Sequence, residues 1–367
     1  GHSQNTITGV FTGLANQQIK LSGFNGFDTC AIDSIQASEK GAFNLSFGER
    51  DYGMGYLMAE NGKPFIVILA ENEKLQLEGE TLAYPETIEI IKGKENQLFA
   101  QYASDHPRRE QALSAWDYLE KIYSQDSLFS IPHVQQTILK EKQRIRSKDS
   151  LFLANLDPET YVSWYLPVRQ LVSSVPTIAQ YRTEEIPAAI ASFRKMDYTD
   201  PRLYKSGLLG DVIDSHVWLI ENSGRPLDSM YIEMKKSIDL MIENLIADEK
   251  KLNEITDYLF KLLEARSLFE ASEYLALKIL NQNSCTINND LAAQLESYRA
   301  MKIGNTAPDF ALGEDCLAPD YASAEIPARL SDIKNNYTVV VFAASWCPQC
   351  PAELLQISRM YEKWRKY

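Results

Sequence analysis

Apolar and polar side chains alternate with a period of two over residues 1 to about 95. Phe43, Leu45 and Phe47 alternate with polar residues, which is the pattern of a half-buried strand. The continuous apolar run from 65 to 69 indicates a strand that is buried on both faces. Turn residues separate these segments, including Gly23, Gly26, Gly41 and Gly79. The pattern predicts an N-terminal domain, residues 1–95, built as an antiparallel β-sandwich or barrel.

The period changes to 3.6 residues after about residue 95, which indicates helices. One apolar stripe consists of Met234, Ile238, Met241, Ile242 and Leu245. The next consists of Leu252, Ile255, Leu259 and Leu262. Because proline favours helix starts, eight prolines predict about eight helices: Pro107, Pro132, Pro158, Pro167, Pro176, Pro187, Pro201 and Pro226. The sequence therefore predicts an all-α domain over residues 96–300.

This helical region contains many aromatic residues and three histidines. The spacing of the aromatic residues favours core packing over a ligand-binding box. His106, His133 and His216 have no ligand spacing to a cysteine or a carboxylate, so we expect structural or surface roles and no metal. No residue of the β or helical regions suggests catalysis.

The last region, residues 301–367, has the pattern of an α/β domain. Ile303 to Phe310 is an extended entry, and a loop leads from it to Leu330. Residues 338–344 are apolar and largely β-branched, which predicts a central parallel strand covered on both faces. Two closely spaced cysteines follow, and a helix is predicted from there to the end.

Composition narrows the possible functions. Hydrophobic residues make up 45% of the chain and charged residues 24%, which is typical of a globular protein. With 37 basic against 50 acidic residues, the net charge of −13 argues against a nucleic-acid partner. No apolar run approaches the ~18–20 residues of a membrane span. Residues 1–3 are interpreted as a cloning remnant, which leaves room for a secretion signal that has been removed.

Only two of the five cysteines are close in sequence. Cys30, Cys285 and Cys316 are interpreted as single residues that act as small apolar side chains. Cys347 and Cys350 belong to the segment Trp346-Cys347-Pro348-Gln349-Cys350, between the predicted strand and helix. Disulfide exchange needs a thiolate, and the N–H groups and dipole of a helix N-terminus favour one. We therefore predict that Cys347 is the nucleophile at the helix start and that Cys350 is the resolving thiol.

Residues around the two cysteines support this motif. Trp346, Pro348 and Gln349 complete it, and Pro348 fits the first helical position. Pro351 would fall at the fourth position and deprive the carbonyl of Cys347 of its helical partner. Glu353 shares the dithiol face and is predicted to exchange protons with Cys350. The alternative is that Glu353 is a surface carboxylate near the positive end of the helix.

Two other chemistries fit the motif poorly. A zinc site needs a second cysteine pair or suitably placed histidines, and the sequence has neither. A peroxidase of the peroxiredoxin type would have proline and threonine seven and three residues before the nucleophile, where this chain has Val340 and Ala344. The sequence predicts no cofactor and no metal.

The quoted segments resemble the start of a TlpA/ResA-like thiol–disulfide oxidoreductase of the thioredoxin and peroxiredoxin (AhpC/TSA) superfamily. The matching pieces are Gly304 to Phe310, Leu330 to Asp332, Val340 to Cys350 and Glu353. Upstream, the chain is similar to Bacteroidetes cell-envelope proteins with a β-rich N-terminal domain and a helical linker. One departure is that such sequences often have proline before the second cysteine, whereas here Pro348 follows the first.

The resemblance implies a site and a setting. It implies an oxidoreductase of the cell envelope, in the periplasm, whose partners are protein disulfide or dithiol substrates and an electron-donor protein. It also implies further strands and a cis-proline loop facing the dithiol. Only 17 residues follow Cys350 (367 − 350), so we expect an incomplete thioredoxin-like domain in residues 301–367.

That expectation leads to a further prediction and a competing hypothesis. We expect the chain not to be a competent oxidoreductase by itself, and the tail to pack on the helical region or the natural protein to extend beyond Tyr367. The competing hypothesis is a non-catalytic binding module made of the β and helical regions, with the redox tail as a fragment or regulator. The sequence does not indicate the oligomeric state.

Overall fold

The protein is an α+β molecule whose strands come first and whose helices follow. The computed structural model describes residues 5–60, 62–282, 293, 296–297, 300–313 and 327–364. The chain divides into two compact units, Gly1–Leu295 and Glu296–Tyr367. The predicted multidomain α+β class is confirmed, and the domain boundaries near residues 95 and 300 stay a prediction.

The β-rich part contains two four-stranded sheets. Its strands are β1 Asn5–Phe11, β2 Gln18–Asn25, β3 Asp28–Gln36, β4 Ala42–Phe47, β5 Gly53–Met58, β6 Phe65–Leu69, β7 Leu75–Gly79 and β8 Glu89–Lys92. The strand orders are β4-β1-β7-β8 and β3-β2-β5-β6. Every pairing is antiparallel except that of β1 with β7, which is parallel and aligns Ile7 with Leu75.

The core of this part lies between the two sheets, because the alternating apolar residues of both point inward. Phe43, Leu45 and Phe47 are all buried, as the period of two predicts. They share one apolar cluster with residues of both sheets, among them Ile7, Phe11, Ile19, Leu21, Leu57, Val67, Leu75 and Leu77. The predicted strand at 65–69 is present as β6, but the prediction that both its faces are buried is wrong, because Ile66 is 43% exposed.

Nine α-helices lie between residues 94 and 280, all of which the structure describes. They are α1 Lys94–Gln125, α2 Pro132–Ala154, α3 Tyr161–Tyr181, α4 Ile186–Arg194, α5 Pro201–Tyr204, α6 Leu209–Glu221, α7 Leu227–Leu245, α8 Glu249–Ala265 and α9 Phe269–Leu280. All five residues of the first predicted stripe are buried on α7. In the second stripe, Leu262 is half-buried and its neighbour Leu263 is buried instead.

The prolines are a weaker guide to the helix starts than predicted. Pro132 and Pro201 begin α2 and α5, but Pro107 lies inside α1, and Pro167 and Pro176 lie inside α3. These three internal prolines are exposed. A proline on the solvent side loses one helical bond, and the freed carbonyl can turn to water. Both helices therefore continue through the prolines at which the sequence predicted that a new helix begins.

Within the first unit, the sheet β3-β2-β5-β6 is bonded directly to the helical part. The amides of Gly26 and Met54 donate to the carbonyls of Tyr204 and Lys205, each at 2.8 Å. Next to Met54, Gly53 has a φ of 142°, and a Cβ there would lie 2.5 Å from both the Cβ and the carbonyl oxygen of Lys205. Only glycine allows this close approach.

The second unit contains the helix α10 (Cys350–Trp364) and a 3₁₀ turn at Leu330–Asp332. The predicted central strand at residues 338–344 is wrong for this structure, because the segment pairs with no strand in the part of the chain that the structure describes. Residues 338–343 are exposed, and Phe342 is 82% exposed. A strand exists only through its neighbours, so an apolar run without a paired neighbour stays irregular. Among the described residues, no helix is long and apolar enough to span a membrane.

Candidate redox site

Cys347 and Cys350 are joined by a disulfide bond. Their Cα atoms are 5.4 Å apart, which is within the ordinary range for a disulfide. The bond closes a single tight turn in which the amide of Cys350 donates to the carbonyl of Cys347 at 3.3 Å. The two sulfur atoms are therefore held together by a local turn.

The position of α10 corrects the prediction that the helix starts at Cys347. The helix begins at Cys350, and Pro351 is its second residue. The reason is that Pro351 has no N–H and cannot bond the carbonyl of Cys347 in the helical manner. That carbonyl accepts the Cys350 amide instead, so it keeps a partner. Pro348 lies in the turn before the helix and not at the first helical position.

The residues around the disulfide are open to solvent. Trp346 is 85% exposed, and Pro348 and Gln349 are exposed as well. Cys347 and Cys350 are both half-buried. The turn presents the disulfide beside a large aromatic surface.

Glu353 is an exposed residue in the first turn of α10. Its amide donates to the carbonyl of Gln349 at 3.2 Å, which is the first helical bond after the turn. The N–H groups and dipole at this helix end favour a negative charge. A carboxylate and a thiolate would therefore compete for the same positive end, and the role of Glu353 stays a prediction.

A second cluster in this unit joins two of the segments that the sequence singled out. Asp309 accepts hydrogen bonds from the side chain of Arg329 at 2.6 Å and from the amide of Ser331 at 2.9 Å. The side chain of Ser331 adds a bond at 3.0 Å. The hydrogen bond from Arg329, with those from Ser331, lowers the pKa of Asp309 to about 2. Asp309 lies inside the entry segment, but its role there is not evident from the sequence pattern.

Ala311 and Arg329 form an isolated antiparallel β-bridge beside this cluster. Asp309 is thus bonded to both Arg329 and Ser331, and we call these three residues the Asp309 bracket. The bracket places the entry segment next to Leu330–Asp332.

The other three cysteines are distant in sequence from Cys347 and Cys350. Cys30 is a free, half-buried thiol in β3. Cys285 and Cys316 lie outside the described residues. In the part of the chain that the structure describes, no three histidine, cysteine or carboxylate side chains are grouped to hold a metal ion.

Two of the three predicted structural histidines have clear partners. His106 Nδ1 lies 2.9 Å from a carboxylate oxygen of Asp149, which also accepts hydrogen bonds from Tyr102 and Arg109. His216 is buried, and its Nε2 lies 2.9 Å from the Ser237 hydroxyl. Both contacts join helices: α1 to α2 in the first case and α6 to α7 in the second.

One known family matches the segment that contains the disulfide, the Asp309 bracket and α10. Residues 303–367 match the AhpC/TSA family. This C-terminal region is therefore of the thioredoxin-like superfamily, and the match covers the dithiol and none of the first unit. Neither a curated protein nor a solved structure matches the chain.

Proposed function

We propose that this chain is a thiol–disulfide oxidoreductase in which Cys347 attacks and Cys350 resolves. The observation that carries the proposal is the Cys347–Cys350 disulfide, which closes an exposed turn at the start of α10. The AhpC/TSA match over residues 303–367 supports a redox role for the same segment.

The proposed reaction balances within the dithiol and its substrate. The Cys347 thiolate attacks one sulfur of a substrate disulfide, which breaks that bond and forms a mixed disulfide. Cys350 then loses its proton and attacks the sulfur of Cys347, which releases the substrate as a dithiol. The two protons of the cysteine thiols pass to the two substrate thiols. An electron-donor protein with a dithiol returns Cys347 and Cys350 to the reduced form.

The surroundings of the turn support particular roles. The exposed Trp346 ring offers an apolar surface against which a substrate chain can pack. Glu353 is proposed to take the proton of Cys350, since it lies three residues further along the same helix. The TlpA/ResA-like type, the periplasmic setting and the protein partners are proposed from the resemblance of the motif.

A small disulfide tests the dithiol directly. In the Cys350→Ser variant, oxidised glutathione should form a mixed disulfide with Cys347 that cannot be resolved, and mass mapping should place glutathione there. We expect the reaction at pH 7 to be at least about 10-fold faster in the folded variant than in urea, because the helix end favours the thiolate. Cys30 in the same molecules is the internal control.

Equal rates with and without urea, or preferential labelling of Cys30, would contradict the proposal.

The role of Glu353 needs its own variant. Glu353→Gln should change the pH at which Cys350 becomes reactive, measured by alkylation of the reduced protein across pH 5 to 10. Glu362→Gln is the matched control on the same helix, about two and a half turns further along. Identical profiles for Glu353→Gln and wild type would make Glu353 a surface carboxylate.

A further inference from the structure

The first turn of α1 is fastened to the β-sandwich by a buried amide. Asn96 is 2% exposed, and its side chain bonds both backbone groups of Ile68 in β6. The carboxamide nitrogen donates to the Ile68 carbonyl at 3.0 Å, and its oxygen accepts from the Ile68 amide at 2.8 Å. Since an amide does not titrate, this connection is the same at every ordinary pH.

Two glutamates extend the connection from the sandwich to α3. Glu73, which precedes β7, is 6% exposed and accepts the amide of Glu95 at 3.2 Å. Glu95, the second residue of α1, accepts the amide of Val162 at 2.9 Å. Each carboxylate thus bonds an N–H group that the first turn of a helix leaves without an internal partner. We call Glu73, Glu95 and Asn96 the carboxylate junction.

The carboxylate of Glu73 is buried and that of Glu95 is half-buried, and among the described residues no cation compensates either charge. Neither forms an ion pair in the described part of the chain, although the adjoining cavity is lined by charged residues of both signs: Glu71, Lys74, Lys92, Lys94 and Asp157. Burial, with the charge of Glu95, raises the pKa of Glu73 to about 7. Burial also raises the pKa of Glu95, with a further contribution from Asp157.

The cavity gives water a route to these groups. Its volume is about 720 Å³, and its apolar wall includes Leu98, Phe152 and Leu156. A buried carboxylate that loses its proton needs a cation or water, because burial of an uncompensated charge is costly. Water that enters the cavity would compete for the helix amides that the carboxylates now bond.

We propose that the carboxylate junction is a pH-responsive connection, in which ionisation of Glu73 loosens the first turns of α1 and α3 from the sandwich. With Glu73 protonated, the two helices stay bonded through Glu73 and Glu95. With Glu73 ionised, the cavity fills with water and the amides of Glu95 and Val162 open to solvent. Asn96 keeps α1 attached to β6 in both states. This inference concerns the first unit and does not depend on the redox proposal.

The sign of the pH effect follows from linkage. The Glu73 pKa is higher in the folded than in the unfolded chain, so the unfolded chain loses the proton first as the pH rises. The stabilisation is fully present below pH 4.5 and is lost as the pH rises to about 7. The opening equilibrium should therefore increase by up to about 100-fold over this range.

Hydrogen exchange of the wild-type chain between pH 5 and pH 8 tests the proposal. After correction for the intrinsic exchange rate, protection at Glu95 and Val162 should fall as the pH rises. In Glu73→Gln, which keeps an acceptor oxygen but does not titrate, protection should be independent of pH. Glu71→Gln removes a carboxylate from the same cavity and should behave as wild type, whereas Asn96→Ala should lower protection equally at every pH.

Constant protection in the wild type would overturn the proposal, whatever the variants do. So would a Glu73→Gln protein that retains the wild-type pH dependence. If Glu73→Gln fails to fold, Glu95→Gln provides the second measurement, and it should lower the pH dependence because the neighbouring negative charge is gone.

Discussion

The two compact units place their apolar side chains in opposite environments. In the first unit, residues such as Ile7, Leu57 and Val67 are fully buried between sheets. In the second, no described residue between 300 and 364 is fully buried, and Phe342 and Trp346 are largely exposed. The first unit is held by contacts between distant parts of the chain. The described structure of the second is held mainly by the local contacts of the disulfide turn and α10, and the Asp309 bracket adds bonds between residues 20 and 22 positions apart. The candidate redox cysteines therefore lie in a region held mainly by contacts between residues that are close in sequence.

The largest test of this contrast is removal of an apolar side chain from each unit. Leu57→Ala should lower the free energy of unfolding by about 3 kcal/mol, because it opens a cavity between the sheets. The matched change Phe342→Ala should alter it by less than about 0.5 kcal/mol, since that side chain is already exposed. Urea denaturation measures both. Similar losses in the two variants would mean that residues 338–344 are packed in solution.

Protonation of a histidine should lower the stability of the first unit in acid, because this unit contains the buried residue His216. Residues 296–367 contain no histidine. Burial, with the charge of Arg194, lowers the pKa of His216 to about 3. The stability linked to this residue is present above pH 6.5 and is lost as the pH falls towards 3. It should amount to about 2 kcal/mol between pH 7 and pH 5.

The comparison of variants isolates this contribution. His216→Gln removes the titration but leaves an amide near the Ser237 hydroxyl, so its unfolding free energy should depend less on pH than that of wild type. His133→Gln, at an exposed position, is the control and should follow wild type. An unchanged pH dependence in His216→Gln would show that the imidazole is charged in the folded protein.

The contact between sandwich and helices can be tested at Gly53. Gly53→Ala should cost about 2 kcal/mol, because the new Cβ overlaps the backbone and side chain of Lys205 and the φ of 142° disfavours any side chain. Gly48→Ala is the control, since the nearest atom to its Cβ is at 4.0 Å. A Gly53→Ala protein as stable as Gly48→Ala would show that the loop around Lys205 gives way easily.

The smallest effect is expected at the Asp309 bracket, because its groups are exposed. Asp309→Asn should speed hydrogen exchange at the Ser331 amide several-fold and leave exchange in the β-sandwich unchanged. In wild type the bracket should persist to low pH and be lost only as the pH falls towards 2. Ser331→Ala removes only the hydroxyl and keeps the bond from the Ser331 amide to Asp309, so it should speed exchange less than Asp309→Asn does. Equal increases in the two variants would show that the bracket depends on its side-chain bonds alone.

The hydrophobic pattern predicted correctly those strands and helices that depend mainly on which of their own residues are apolar. The period-two run around Leu45 and the stripe from Met234 to Leu245 correspond to β4 and α7, because one face of each packs on the core. The spacing of Cys347 and Cys350 likewise predicts a pair that one turn brings together.

The features that the sequence did not reveal depend on residues far apart in the chain. Nothing near Glu73 or Glu95 indicates that their side chains bond the starts of two helices. Pro107 looks like a helix boundary until its exposure on α1 is known. Residues 338–344 have the composition of a buried strand, yet strand formation depends on a pairing partner that composition does not specify.

The parallel pairing of β1 with β7 has a consequence for how the protein is made. Ile7 and Leu75 are aligned across this pair although 68 residues separate them (75 − 7). During synthesis β1 leaves the ribosome first and can pair with β4, but the position beside it stays empty until β7 has emerged. Because such distant pairings form slowly, the nascent chain exposes one edge of a central strand while the intervening segments are translated. Of these eight strands, β1 is synthesised before the others, yet it gains its second neighbour only after β2 to β7 have been made.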